Sequence, residues 1–164
     1  MEALWVPAYI AVGSNIDDPA AQVRAGLNAL AGLSRSGWLI QSRLYRSAPL
    51  GPQDQPEFVN AAAGLLTQLS PRELLHALKQ LESSLGRELP VERWGPRRID
   101  FDLIVYGAER IDEPDLTVPH PGAPVRNFVL YPLLDIAPDL LVPGHGRVRT
   151  LAARVGSSGL APIA

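Results

Sequence analysis

Arg97-Arg98-Ile99-Asp100-Phe101-Asp102-Leu103-Ile104-Val105-Tyr106 is the stretch on which the fold turns. Ile99 to Tyr106 is apolar and β-prone, and successive strand side chains point to opposite faces. Ile99, Phe101 and Leu103 therefore share a face that needs a core. Asp100 and Asp102 share the other, about 7 Å apart at a rise of about 3.3 Å per residue. A strand with two carboxylates on one face belongs to a sheet that is packed on one side only.

Upstream, Ser70-Pro71-Arg72-Glu73 has the spacing of a capping box. Leu74, Leu75, Leu78, Leu81 and Leu85 then fall at helical spacing, and Gly86 closes the helix. Phe58 to Leu69 is an apolar third strand, buried in part on both faces, and Ser47 to Glu57 is a Pro-rich loop. Residues 37 to 46 alternate as one second strand. Asp17, Asp18 and Pro19 open a first helix whose buried face is Val23, Leu27, Leu30 and Leu33. Tyr9-Ile10-Ala11-Val12 reads as a first strand running into a turn at Gly13-Ser14-Asn15. Downstream, Pro114 to Pro124 reads as an extended loop with prolines at 114, 119, 121 and 124. Val125 to Ala137 reads as a helix despite Pro132, and the tail from about 156 to 164 as a flexible end. The series β-α-β-β-α-β predicts an α+β, ferredoxin-like sandwich: an antiparallel sheet with helices on one face and substrate loops on the other.

At 164 residues the expectation is a single domain, large enough to fold without a disulfide or structural metal. There is no cysteine, which excludes a thiolate zinc site, an iron–sulfur cluster and a cysteine nucleophile. The 15 basic residues against 17 acidic ones leave a net charge of -2, which argues against non-specific binding to nucleic acid or membranes. All the basic residues but Lys79 are arginines, so any bound phosphate is held mainly by guanidinium forks. The longest uncharged runs, Ala3 to Ile16 and Phe58 to Pro71, are too short to span a bilayer. Glu2 stands where a secretory signal would be basic, so the expected location is the cytoplasm.

The paired aspartates repel one another unless a cation lies between them, and a hard, oxygen-seeking ion such as Mg²⁺ fits. An exposed strand face, with one Asp paired to Arg97 or Arg98, gives the same pattern. Arg87, Arg93, Arg97 and Arg98 lie just before, as they would for a ligand carrying metal and phosphates, or as a solvated charge run. Trp94 among them either plugs the core edge or stacks on a planar ligand. His120, between Pro119 and Pro121, is held by a stiff loop and bonds either a phosphate oxygen or a backbone carbonyl. No phosphate-binding P-loop and no dinucleotide fingerprint is present.

Five ordered blocks carry a resemblance from about Tyr9 to Pro143. They are Ala8–Asn15; Tyr45–Pro56 with Phe58-Val59-Asn60; Leu85-Gly86-Arg87; Arg93–Asp102; and Val118–Pro121 with Arg126–Leu130. Together they resemble the 6-hydroxymethyl-7,8-dihydropterin pyrophosphokinases of folate biosynthesis. The resemblance implies transfer of diphosphate from ATP to the pterin's hydroxymethyl oxygen, leaving AMP, in a monomer acting on small molecules. It implies that Asp100 and Asp102 hold two Mg²⁺ ions, and that Arg87 and Arg97 close over the phosphates. It places the pterin between Phe58 and Phe128, with Asn60 and groups at Ser47, Ala48 and Leu50 along its polar edge, Gly13 beneath and Trp94 as a cover. Glu82, Leu103, Thr117, His120 and Arg126 fall to ATP. This sequence departs from the family at Phe58, often Tyr; at Phe101, usually Leu; and at Leu89 and Asp115, where some members carry arginines. Pro121 stands where some members have Tyr. Two other readings fit the residues less well: a ferredoxin-like nucleic-acid-binding module, whose sheet would not carry two carboxylates, and a metal-dependent hydrolase or nucleotidyltransferase using the same aspartates.

Overall fold

The structure is a computed structural model that describes residues 4–47, 57–86 and 99–163. The elements run β1 (Val6–Ser14), α1 (Pro19–Ala31), β2 (Ser36–Gln41), β3 (Tyr45–Ser47), β4 (Phe58–Thr67), α2 (Pro71–Gly86) and β5 (Asp100–Tyr106). They continue with β6 (Ile111–Glu113), β7 (Leu116–Val118), α3 (Asn127–Ile136), β8 (Leu141–Val142), β9 (Gly146–Arg147), α4 (Val148–Val155) and β10 (Leu160–Pro162). The main sheet has the order β10-β3-β4-β1-β5, with β2 also paired to β4, and every pairing in it is antiparallel.

One face of β1, at Ala8, Ile10 and Val12, packs against α1 and α2 through Val23, Leu27, Leu30, Leu74 and Leu78. Fully burying each such side chain contributes about 1.5–3 kcal/mol. Both helix starts form as their residues dictate. Asp18 accepts from the Ala21 N–H at 3.3 Å. The Ser70–Glu73 capping box closes in both directions: Glu73 N donates to Ser70 Oγ at 3.1 Å, and Ser70 N to Glu73 Oε1 at 2.9 Å. Gly26 lets α1 lie close on the sheet, because a Cβ there would fall 2.2 Å from Ile99 Cδ1 and 3.2 Å from Phe101 Cζ.

The fold class is the one the element order predicts, and four local features differ. Residues 37–46 form two strands rather than one. The Ala62 N–H donates to Ser42 Oγ at 2.8 Å and Arg43 N turns away to Asp135 Oδ2 at 3.1 Å, so a side chain replaces the backbone acceptor and the ladder stops. Residues 114–124 are more than an extended loop: β7 pairs with β6, and Ala123–Val125 make a short 3-10 turn. The end of the chain does not fray among the described residues, because β10 pairs with β3. Finally, the sheet's second face carries helices as well as loops. Val129, Leu130 and Leu133 of α3, with Val148, Leu151 and Ala152 of α4, pack over Ala62, Ile104 and Val105. The sequence reading has no helix at α4. Within β2 the register shifts between Gly37 and Ile40. There Trp38 adopts φ 58 and is 80% exposed, a conformation unusual for a bulky residue.

A polar cluster fastens the far end of α3 to the segment between β2 and β3. Arg43 donates from Nε to Asp135 Oδ2 at 3.2 Å and from Nη2 to Oδ1 at 3.0 Å, and Tyr45 OH donates to Oδ1 at 2.8 Å. Burial pushes the Asp135 carboxyl up, but the bonds from Arg43 and Tyr45 outweigh it and hold it below the usual carboxylate range.

Two stability predictions follow from this packing. Gly26→Val should destabilise by about 1–3 kcal/mol through overpacking against Ile99 and Phe101, read as a lower denaturant midpoint at unchanged slope. Asp135→Asn should lower the thermal midpoint near neutral pH. A carboxyl whose pKa is depressed by folding stabilises above its unfolded value and loses that contribution as pH falls through the folded one. The gap between variant and wild type should therefore close in melts taken from about pH 7 down to about pH 2; a gap that stays constant would refute the ion-pair account.

Candidate active site

The strand register sets out the site. Gly13 of β1 stands opposite Asn60 of β4 on one side and Asp100 of β5 on the other. The next position on the same face sets Ala11 between Ala62 and Asp102. With strands about 4.8 Å apart, Asn60 and Asp100 flank Gly13 with backbones about 10 Å from each other. Gly13 is required there, because a Cβ would lie 2.8 Å from Asn60 Oδ1. The amide of Asn60 is steadied in turn, its Nδ2 donating to Ser47 Oγ at 3.2 Å.

These residues line a cavity of about 200 Å³. Of the residues named from the sequence, Gly13, Ser47, Phe58, Asn60, Asp100, Asp102, His120, Arg126 and Phe128 meet in it. Ala11, Val12, Ile104 and Val129 line it as well and were not anticipated. Strand parity could have found Ala11, two before Gly13, and Ile104, two after Asp102; nothing in the sequence marks Val129.

His120 is fixed by its backbone, whose N–H donates to Ile104 O at 2.9 Å. Its Nδ1 accepts from Gly122 N at 3.0 Å, so a neutral ring carries its proton on Nε2. Nε2 lies 4.0 Å from Asp102 Oδ1. Burial pushes the imidazole pKa down; Asp102 opposes this and Arg126 reinforces it. The ring is thus a neutral Nε2–H donor near pH 7. Of the two partners expected for His120, the backbone one is present, as an N–H given to Nδ1 rather than a carbonyl. Arg126 lies with Cζ 5.9 Å from the centre of the Phe128 ring. Gly122 makes room for this guanidinium, since a Cβ there would sit 2.6 Å from Arg126 Cζ. A cation, an aromatic face and a neutral imidazole donor thus stand on one wall, opposite the amide and hydroxyl of Asn60 and Ser47.

Three residues expected on the nucleotide side do not line this cavity. Leu103 has the opposite parity to Asp102, and its side chain is buried in the core beneath α1 and α2. Glu82 accepts the Phe101 N–H at 2.8 Å and pairs with Lys79 at 3.5 Å, so it holds the start of β5 in place. Burial pushes its carboxyl up; the Phe101 bond and Lys79 oppose that, while Asp100 and Asp102 add to it. Thr117 is exposed on β7. Asp115 pairs with Arg72 of α2 at 2.6 Å, and Arg72 also bonds Glu113. Ala48, Leu50, Arg87, Trp94 and Arg97 lie outside the described residues.

The donors at the Asp100–Asp102 end are carboxylate oxygens, which suit a hard divalent cation. Among the described residues no group of three His, Cys, Asp or Glu side chains is gathered for a metal.

Comparison with known proteins places the chain in a family. The model of the 7,8-dihydro-6-hydroxymethylpterin-pyrophosphokinase family matches residues 9–138. The 2-amino-4-hydroxy-6-hydroxymethyldihydropteridine pyrophosphokinase of Haemophilus influenzae is 46% identical over 138 residues, 84% of this chain and 86% of its own length. Its namesake in Pseudomonas aeruginosa is 44% identical over 152 residues, 93% of each chain. Among solved structures, a Plasmodium falciparum HPPK-DHPS crystal structure superposes with a TM-score of 0.73 at 13% identity, covering 99% of this chain and 45% of that one. This chain therefore spans less than half of that longer protein, and the likeness speaks to the fold alone. With the family's match spanning β1 to α3, and the matched strands meeting at one cavity, the chain belongs to the 7,8-dihydro-6-hydroxymethylpterin-pyrophosphokinase family.

Proposed function

We propose that this chain transfers the β,γ-diphosphoryl group of ATP to the hydroxymethyl oxygen of 6-hydroxymethyl-7,8-dihydropterin in folate biosynthesis. The new bond joins that oxygen to the β-phosphorus, the bond from the β-phosphorus to the α,β-bridging oxygen breaks, the hydroxyl proton is released and AMP leaves. The observation that carries this reading is the row Asn60–Gly13–Asp100 in a single cavity with Phe58 and Phe128. A planar heterocycle seated at the amide end directs a short hydroxymethyl arm toward the carboxylates.

Asn60 offers both a donor and an acceptor, as the mixed edge of a pterin requires, and Ser47 adds a hydroxyl beside it. Phe58 and Phe128 give aromatic faces to the ring. Gly13 leaves the sheet floor low enough for the ring to pass between Asn60 and Asp100. The His120 Nε2–H and the Arg126 guanidinium hold phosphate oxygens, and fixed donors of this kind stabilise charge that grows in the transition state. Two Mg²⁺ ions, held by Asp100 and Asp102 with phosphate oxygens, would neutralise the triphosphate and favour loss of the hydroxyl proton. Thr117 has an exposed side chain for the nucleoside; Leu103 and Glu82 serve that side through backbone and through the placement of β5. Arg87 and Arg97 as phosphate clamps, Trp94 as a cover, and groups at Ala48 and Leu50 complete the proposal from the family resemblance. It describes a single cytoplasmic domain acting as a monomer on two small molecules. The net charge of -2 supports this over a nucleic-acid partner.

Incubation with ATP, Mg²⁺ and 6-hydroxymethyl-7,8-dihydropterin should yield pterin-dependent AMP and no ADP on nucleotide chromatography. ADP would mean an ordinary kinase. Asp100→Asn and Asp102→Asn should each lower kcat by about 10²- to 10³-fold, the scale of losing one preorganised charge-stabilising group, with an unchanged circular dichroism spectrum. Near-normal turnover in both variants would remove the aspartates from the metal site.

A further inference from the structure

The segment after α4 is bonded to two elements that line the cavity. After α4 it turns at Gly156, φ 81, and Gly159, φ 78, and enters β10, where Leu160 pairs with Ser47. Ile163 N adds a bond to Leu44 O at 2.8 Å. β3 is thus a three-residue strand held between β4 and β10, and it carries the Ser47 hydroxyl that steadies Asn60. On the opposite wall, Asn127 begins α3, directly between Arg126 and Phe128. Its Nδ2 donates to two carbonyls of the tail, Gly156 O at 3.1 Å and Ser158 O at 2.9 Å. A primary amide has two N–H groups, and both are used. A chain of bonds therefore runs from Phe128's neighbour through the tail to β10, β3, Ser47 and Asn60, joining the two walls of the cavity by a route that passes outside it.

We propose that Asn127 is a positioning residue for the pterin: by clasping the tail it fixes the spacing between the aromatic wall at Phe128 and the polar wall at Ser47 and Asn60. Asn127 does not touch the ring. It sets the width of the slot into which a flat heterocycle slides, and a small error in that width costs ring contacts on both sides. The aspartates lie on β5 at the far side of the sheet order and His120 is bonded to β5 directly, so of the phosphate-side residues only Arg126, the N-cap of α3 beside Asn127, shares the clasped element.

The proposal rests on the diphosphoryl-transfer reading, and the test separates the two. Steady-state kinetics would be measured for wild type, Asn127→Ala and Asn127→Gln, with melting temperatures for each. Pterin binding would be followed by its fluorescence in the absence of turnover. Asn127→Ala should raise the KM and the Kd for the pterin by about 5- to 20-fold, the scale of one to two lost hydrogen bonds, with kcat within about 2-fold of wild type and a clearly smaller rise in the KM for ATP, whose site shares only Arg126 with the clasped helix start. Asn127→Gln keeps both donors on a longer arm and should recover part of the pterin affinity at a similar melting temperature. Equal losses toward ATP and pterin, a fall in kcat alone, or pterin affinity untouched in Asn127→Ala would each overturn the positioning role while leaving the activity of the wild type to stand. No AMP from the wild type would remove both readings.

Discussion

The pairing of β1 with its two neighbours is the constraint on which everything else rests. Along β1 the side chains of Ala8, Ile10 and Val12 must enter the core, so Ala11 and Gly13 must face the other way. That parity is fixed by the burial of three apolar side chains, and a slip of one residue would turn all of them off α1 and α2 and onto the face of the cavity, α3 and α4. Because β4 and β5 pair with β1 on opposite sides, the same parity aligns Asn60 and Asp100 with Gly13. The hydrophobic effect, acting on residues that never meet a substrate, thereby sets the chemistry of the row.

The second wall is set by hydrogen bonds rather than by burial alone. α3 carries Phe128, and it is fastened at both ends: to the tail through Asn127, and to the segment before β3 through Asp135 with Arg43 and Tyr45. Both fastenings lead to the neighbourhood of β3. A three-residue strand has little stability of its own, so its position reflects what holds it from outside. The sheet supplies rigid depth, and the two clasps supply the breadth of the opening.

Much of this was legible in the sequence, because much of it is local. The alternation of Asp100, Phe101, Asp102 and Leu103 is a property of any strand, and Ser70 and Glu73 reach only across one turn. What stayed hidden depends on partners far along the chain. The break between β2 and β3 is made by Ser42 meeting Ala62, and by Arg43 meeting Asp135. The tail is ordered by Ser47 and Asn127, and its own small residues give no sign of either. Glu82 reads as a polar group facing a ligand until the Phe101 N–H, offered by the start of a later strand, claims it. Strand parity turns Asp102 toward the cavity and Leu103 into the core, and it is parity, not the family resemblance that gives Leu103 to ATP, that the structure follows.

Trp38 adds a consequence of another kind. β2 is a border of the sheet, with one row of backbone N–H and C=O groups turned to solvent, and such a row is a template on which a foreign strand can grow. The left-handed turn of the chain at Trp38, and the register shift beside it, bend that row out of line after two residues on either side. Beside it, on the same side of β4, β10 already occupies the place next to β3. The same distortion that spoils the regularity of β2 thus leaves only two-residue stretches of its outer edge straight enough to pair with another strand.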